Sequence, residues 1–138
     1  MSNTVLNFSA NDAILFVSHE KSLTLIDMFV NKGYLIFPLN GHEIKSKEEL
    51  LRHLARVMKF PDHFGQNWDA LEECLNDLEW SSSKGYIIQF TNADSFIKIC
   101  PSDFSIFVEI VKSTSSYWNT NKVRFLLLVE TNIPTITG

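Results

Sequence analysis

The 138-residue chain reads as an α/β domain on a small parallel sheet. Three observations predict this. Short apolar runs recur at 13–17, 34–39, 85–90 and 123–129, and helix-period stretches separate them. The last run, Val123-Arg-Phe-Leu-Leu-Leu-Val129, is apolar almost throughout, as for a strand covered on both faces. Strands joined by helical crossovers pair in parallel.

Taken in order, Ala13-Ile-Leu-Phe-Val17 is the first strand. Residues 19–31 follow with Leu23, Ile26, Phe29 and Val30 at helical spacing, and Asn31-Lys-Gly33 suits a helix exit. Tyr34-Leu-Ile-Phe-Pro-Leu39 is a strand whose Pro38 donates nothing to a ladder, so it belongs at a sheet edge or at the strand's end. Asn40-Gly41 signals a turn. Ser46-Lys-Glu-Glu49 is a capping box, with Ser46 taking the fourth amide and Glu49 reaching back. The helix it opens carries Leu50, Leu51, Leu54, Val57 and Met58 on one side and runs to about Lys59, before Pro61. A further helix starts near Asn67, a good N-cap type, and reaches about Leu78. Gly85-Tyr-Ile-Ile-Gln-Phe90 is a strand, a short helix spans 94–99, and Pro101 opens a longer helix through Phe104, Phe107, Val108 and Val111.

Composition narrows the class. At 45% hydrophobic and 20% charged residues, the chain is an ordinary globule with a core of its own, one domain in size. A net charge of −4 excludes a general nucleic-acid binder, which needs a basic surface. Two cysteines, Cys74 and Cys100, make no disulfide framework. The start lacks the basic and apolar regions of a signal peptide, and no window has the roughly 18 apolar residues of a membrane span. We therefore expect a cytoplasmic protein, monomeric when free, with no membrane contact. Residues 131–138 are expected to form a loose tail.

The most informative stretch is Phe60-Pro-Asp-His-Phe-Gly-Gln-Asn-Trp-Asp-Ala-Leu-Glu-Glu-Cys-Leu75, an aromatic loop opening an acidic helix. Between Lys59 and Lys84 there is no Lys or Arg, yet six of the sixteen acids fall there: Asp62, Asp69, Glu72, Glu73, Asp77 and Glu79. With Trp68 at 0° and about 100° per residue, Ala70, Leu71, Cys74, Leu75 and Leu78 lie between about 200° and 340°, the buried stripe. Glu72, Asn76, Asp69 and Glu73 fall at about 40°, 80°, 100° and 140°, one continuous outward face with Trp68 on its boundary. The plain interpretation is a solvated surface, and the helix dipole favours Asp69 without any function. Glu73 and Asp77 lie beyond the first turn, however, and no basic residue four positions away pairs with them. A one-sign surface attracts a cationic partner, and nuclease active sites are cationic because their substrate is not.

This loop and helix resemble the barstar family of ribonuclease inhibitors. The residues that carry the resemblance are Gly65-x-Asn67-x-Asp69-Ala70-Leu71, Cys74-Leu75 and Leu39-Asn-Gly-His-Glu-Ile44. It extends from Tyr34 to Val129. It implies a parallel three-stranded sheet with helices, with 34–130 as the family domain; residues 1–33 lie outside the resemblance and are expected to add a βα unit, a fourth strand beside that sheet. It also implies that helix and loop enter a ribonuclease groove, where Asp69 and Glu73 stand in for substrate phosphates. His63, Phe64, Gly65, Asn67, Trp68, Glu72 and Asn76 would complete the contact. Departures from the family pattern are visible. Glu73 replaces an aspartate, Glu72 a tryptophan, and His63 and Phe64 two tyrosines. The acid near the end of the family's last helix is missing, since 113–121 contains none. Trp68 is either a partner anchor or a rim-of-core ring.

Other chemistry is poorly represented. Asp69, Glu72 and Glu73 could hold a divalent cation, but no histidine or Asp-x-Asp loop joins them, so no metal or other cofactor is expected. Of His19, His42, His53 and His63, read mostly as surface residues, only His63 is linked to function. Cys74 lies on the buried stripe and reads as core. No Ser-His-Asp pattern, phosphate loop or nucleotide fingerprint occurs. The leading reading is a non-enzymatic ribonuclease inhibitor, an immunity protein against a toxin being one form of it. The alternatives are a barstar-like scaffold for another cationic protein and, more remotely, a metal-dependent enzyme.

Overall fold

A computed structural model describes residues 12–61, 64–78 and 82–132. Four strands, β1 (Ile14–Val17), β2 (Leu35–Asn40), β3 (Gly85–Thr91) and β4 (Arg124–Glu130), form one sheet in the order β1-β4-β3-β2. Every pairing is parallel. Five helices connect them: α1 (His19–Asn31), α2 (Lys47–Met58), α3 (Trp68–Asp77), α4 (Ala93–Ile99) and α5 (Pro101–Asn119). The fourth strand expected from the N-terminal extension is β1, in register with Leu127–Glu130 of β4.

Period-two alternation divides the sheet residues between two cores. Tyr86, Ile88 and Phe90 of β3 and Phe125, Leu127 and Val129 of β4 join the larger core, which α2 to α5 cover. Ile87, Leu126 and Leu128 point the other way, where Leu25 and Phe29 of α1 seal them. The extension thus covers one face of the sheet and gives β4 a second neighbour. Covering on both sides explains the unbroken apolar run in β4.

Local signals act as their chemistry dictates. Pro38 is exposed on β2, an edge strand, where its missing N–H breaks no ladder. Gly33 follows α1 at φ +83°. Asn40 Oδ1 accepts from His42 N at 3.0 Å, turning the chain into a single 3₁₀ turn at Gly41–Glu43. Ser46 Oγ accepts from Glu49 N at 3.1 Å. The Glu49 carboxylate reaches back one residue further than a capping box predicts, accepting from Lys45 N at 2.6 Å. α2 ends on Lys59 in the left-handed region at φ 58°, ahead of Pro61. The first residues of the expected loose tail are tied down: Thr131 N donates to Val17 O at 2.9 Å and Asn132 N to Asp94 Oδ2 at 3.0 Å. Residues 133–138 lie outside the described residues.

Candidate functional site

The acidic helix is set in place by its two ends and its apolar stripe. Asn67 caps the start: its Oδ1 accepts from Ala70 N at 2.8 Å and its Nδ2 donates to Gly65 O at 3.3 Å. Gln66, at φ 52°, bends the loop into that cap. Leu71 and Leu75 are fully buried, each contributing about 1.5–3 kcal/mol of transfer free energy. No glycine stops the helix. Leu78 takes the left-handed cap at φ 43° while its side chain is 1% exposed, so core burial offsets a backbone strain of about 1–2 kcal/mol. Trp118 of α5 donates from Nε1 to Leu75 O at 2.8 Å and so satisfies one carbonyl of the last turn.

Asp69, Glu73 and Asp77 are exposed and four residues apart, a ridge of carboxylates along α3. Trp68 is half-buried against the main core, at the boundary where the helical wheel puts it. Lys47 Nζ lies 5.5 Å from its ring centroid, a cation–π contact. A positive charge therefore stands beside the start of α3, although residues 60–83 supply none.

Two expectations for the outward face fail. Glu72 and Asn76 do not stand clear with Asp69 and Glu73. Glu72 is half-buried and its Oε2 accepts from Ser113 Oγ on α5 at 3.0 Å. Asn76 is half-buried too, with its Oδ1 enclosed and without a hydrogen-bond partner. The packing of α5 beside α3 narrows the free face to the Asp69–Glu73–Asp77 edge. Phe64 packs its ring on Phe60, centroids 5.0 Å apart, and is half-buried at the core. Gly65 is exposed, and His63 lies outside the described residues.

Cys74 is half-buried, and burial, followed by the charges of Asp77 and Glu73, pushes its thiol pKa up. That opposes a nucleophilic role. Among the described residues, no group of three or more His, Cys, Asp or Glu side chains converges on a metal position. No helix among them is long and apolar enough to cross a membrane.

The histidines are less scattered than the sequence suggests. His19 and His42 share a polar hollow of about 390 Å³ at the C-terminal ends of the strands. His19 Nδ1–H donates to Glu130 Oε1 at 2.7 Å, and Gln89 Nε2 donates to the other oxygen at 3.1 Å. Ser95 Oγ and His42 Nδ1 are hydrogen-bonded at 2.8 Å. The signal for this grouping was present: both histidines come just after a strand. His53 is half-buried, and its Nδ1 accepts from Arg56 Nη2 at 3.0 Å. Burial and then the Arg56 charge lower its pKa from 6.5.

The fold is that of a small α/β domain with a parallel four-stranded sheet and an acidic helix on its surface. The barstar family model, described as barstar (barnase inhibitor), matches residues 34–130, and the chain belongs to the barstar family. The match contains α3 and its loop and leaves out β1 and α1. No curated protein matches the chain. Members of this family are inhibitors rather than enzymes, and they bind ribonucleases.

Proposed function

We propose that this protein inhibits a ribonuclease by seating α3 and its preceding loop in the enzyme's active-site groove, where Asp69 and Glu73 take the positions of RNA phosphates. The observation that carries this reading is the exposed carboxylate ridge on α3, the helix opened by the Gly65-x-Asn67-x-Asp69 motif. Its charges repel one another, which a surface selected for stability alone would avoid. Trp68 supplies an aromatic edge, and Asn67 holds the loop against the helix. Glu72, Asn76, Phe64, Gly65 and His63 frame the contact. The protein acts as a monomer in the cytoplasm, a setting that suits its two free cysteines. Where the target is a toxin, the same contact confers immunity.

The contact should be salt-sensitive, with an association rate that falls as ionic strength rises. The test is capture from the source organism's lysate and medium with wild type beside an Asp69→Ala/Glu73→Ala control. A basic ribonuclease retained by wild type alone, and inactive while bound, is the expected result. A non-nuclease cationic protein held in the same way would mean a repurposed scaffold. Identical captures by both baits would remove the ridge from the account.

A further inference from the structure

The hollow of about 390 Å³ at the C-terminal ends of the strands owes nothing to α3, since none of its lining residues belongs to that helix or its loop. Its position follows from the topology. β1 runs into α1 on the second face of the sheet, and β3 runs into α4 on the face of the larger core. β4 ends between them. Crossovers that leave to opposite faces open a crevice at the strand ends, the place where parallel α/β sheets take small ligands. One lining residue, His19, comes from the N-terminal unit that the family match leaves out. The extension therefore completes the hollow.

Two carboxylates are fixed there. Glu130 is 6% exposed and held by His19 Nδ1–H and Gln89 Nε2. Asp94 accepts from Thr131 Oγ1 at 2.5 Å through one oxygen and from Asn132 N at 3.0 Å through the other. No lysine or arginine is among the described residues that line the hollow. A buried carboxylate is ordinarily paired with a charge, and Glu130 has only a histidine, which carries no permanent one. Other lining atoms add acceptors. His19 donates through Nδ1, so its neutral ring presents Nε2 as an acceptor. Asn92 donates from Nδ2 to Asn40 Oδ1 at 2.9 Å, which leaves its own Oδ1 to accept.

This lining discriminates among ligands. An anion would face two carboxylates. The helix ends that could draw one are already answered, α4 by Asp94 in its first turn and α1 by Ser18 Oγ, which accepts from Lys21 N at 3.3 Å. A metal ion needs ligands that converge on one point, and among the described residues no three do. A neutral diol meets the acceptors but leaves the carboxylate charge unanswered. An ammonium group brings three donors and a full charge on one compact head. We infer that the hollow binds a small aliphatic amine in its ammonium form, with Glu130 and Asp94 supplying the charge and Asn92 and His19 the further acceptors. The site and the inhibitor reading stand or fall separately.

The test uses the full chain at about pH 8, where an alkylamine is charged and imidazole is ordinarily neutral. Three probes are added at matched ionic strength: 1,4-diaminobutane, 1,4-butanediol of the same length, and inorganic phosphate. The ring resonances of His19 and His42 are followed by NMR. The diamine should shift both saturably, with a Kd in the millimolar range, about 1 mM. The diol should bind about tenfold more weakly or less, for want of charged hydrogen bonds, and phosphate should leave the rings unmoved. Asp94→Asn should weaken the diamine about tenfold. Asp69→Ala/Glu73→Ala, which removes the ridge on α3, should leave the shifts intact. A diol that binds as well as the diamine, tighter binding of phosphate, or diamine shifts that vanish with the ridge would each overturn the inference, and these comparisons hold whether or not Asp94→Asn folds. Undiminished diamine binding by a folded Asp94→Asn would overturn it too. Ribonuclease capture is unaffected by any of these outcomes, and its loss would leave the amine site standing.

Discussion

Replacing Glu73 by glutamine should make the protein more stable and a poorer binder. Glu73 is exposed in the middle of α3, with exposed Asp69 four residues before it and exposed Asp77 four after. Like charges at that spacing destabilise a helix by about 0.2–0.5 kcal/mol per pair. Two such pairs amount to about 0.4–1 kcal/mol. Gln and Glu have nearly equal helix propensity, so little else changes. Glu73 also sits too far from either end for the helix dipole to matter. With a urea m-value of about 2 kcal/mol/M, the midpoint should rise by about 0.2–0.5 M. Equilibrium urea unfolding followed by far-UV circular dichroism measures this. It is best done at about 0.01 M ionic strength, where the Debye length is about 30 Å, and the gain should fade at about 1 M, where it is about 3 Å. An unchanged or lowered midpoint at low salt would mean that the ridge carries no strain and is an ordinary solvated surface.

Other perturbations test the scaffold around the ridge. Trp118→Phe removes the donor to Leu75 O and should cost about 1–3 kcal/mol in urea unfolding, whereas no loss would mean that water replaces the indole. Gly41→Ala places a Cβ 2.1 Å from the Asn92 carbonyl oxygen. Backbone on both sides cannot give way, so a destabilisation of about 1–3 kcal/mol or more is expected in the same assay. His53 should titrate below 6.5 by NMR. Its depressed pKa contributes stability that is present above the unfolded value of 6.5 and is lost as pH falls through the folded pKa, so His53→Gln should flatten stability against pH in that window. Cys74 should be alkylated more slowly in the folded than in the unfolded chain, and faster in Glu73→Gln than in wild type, because Glu73 helps to raise its pKa.

Much of the fold was legible because it rests on local patterns. The strand and helix runs, the Asn67 cap, the Pro101 helix start and the edge position of Pro38 depend on residues within a few positions of one another. Asp69 and Glu73 were legible for the same reason, since their spacing alone puts them side by side. Glu72 and Asn76 were misplaced because a helical wheel knows nothing of a neighbour. The residue that takes the Glu72 carboxylate is Ser113, forty-one positions away.

The secondary elements, the buried stripe of α3 and the family motif on it follow from the order of residues alone, because periodicity and capping are short-range properties of the backbone. The roll of α3 against α5, the placing of Lys47 over Trp68, the meeting of two histidines at the strand ends and the sealing of the sheet's second face by the N-terminal βα unit emerge only when the chain is folded. Those outcomes depend on how elements distant in sequence bury one another's apolar faces, and no local spacing encodes the angle or the partner.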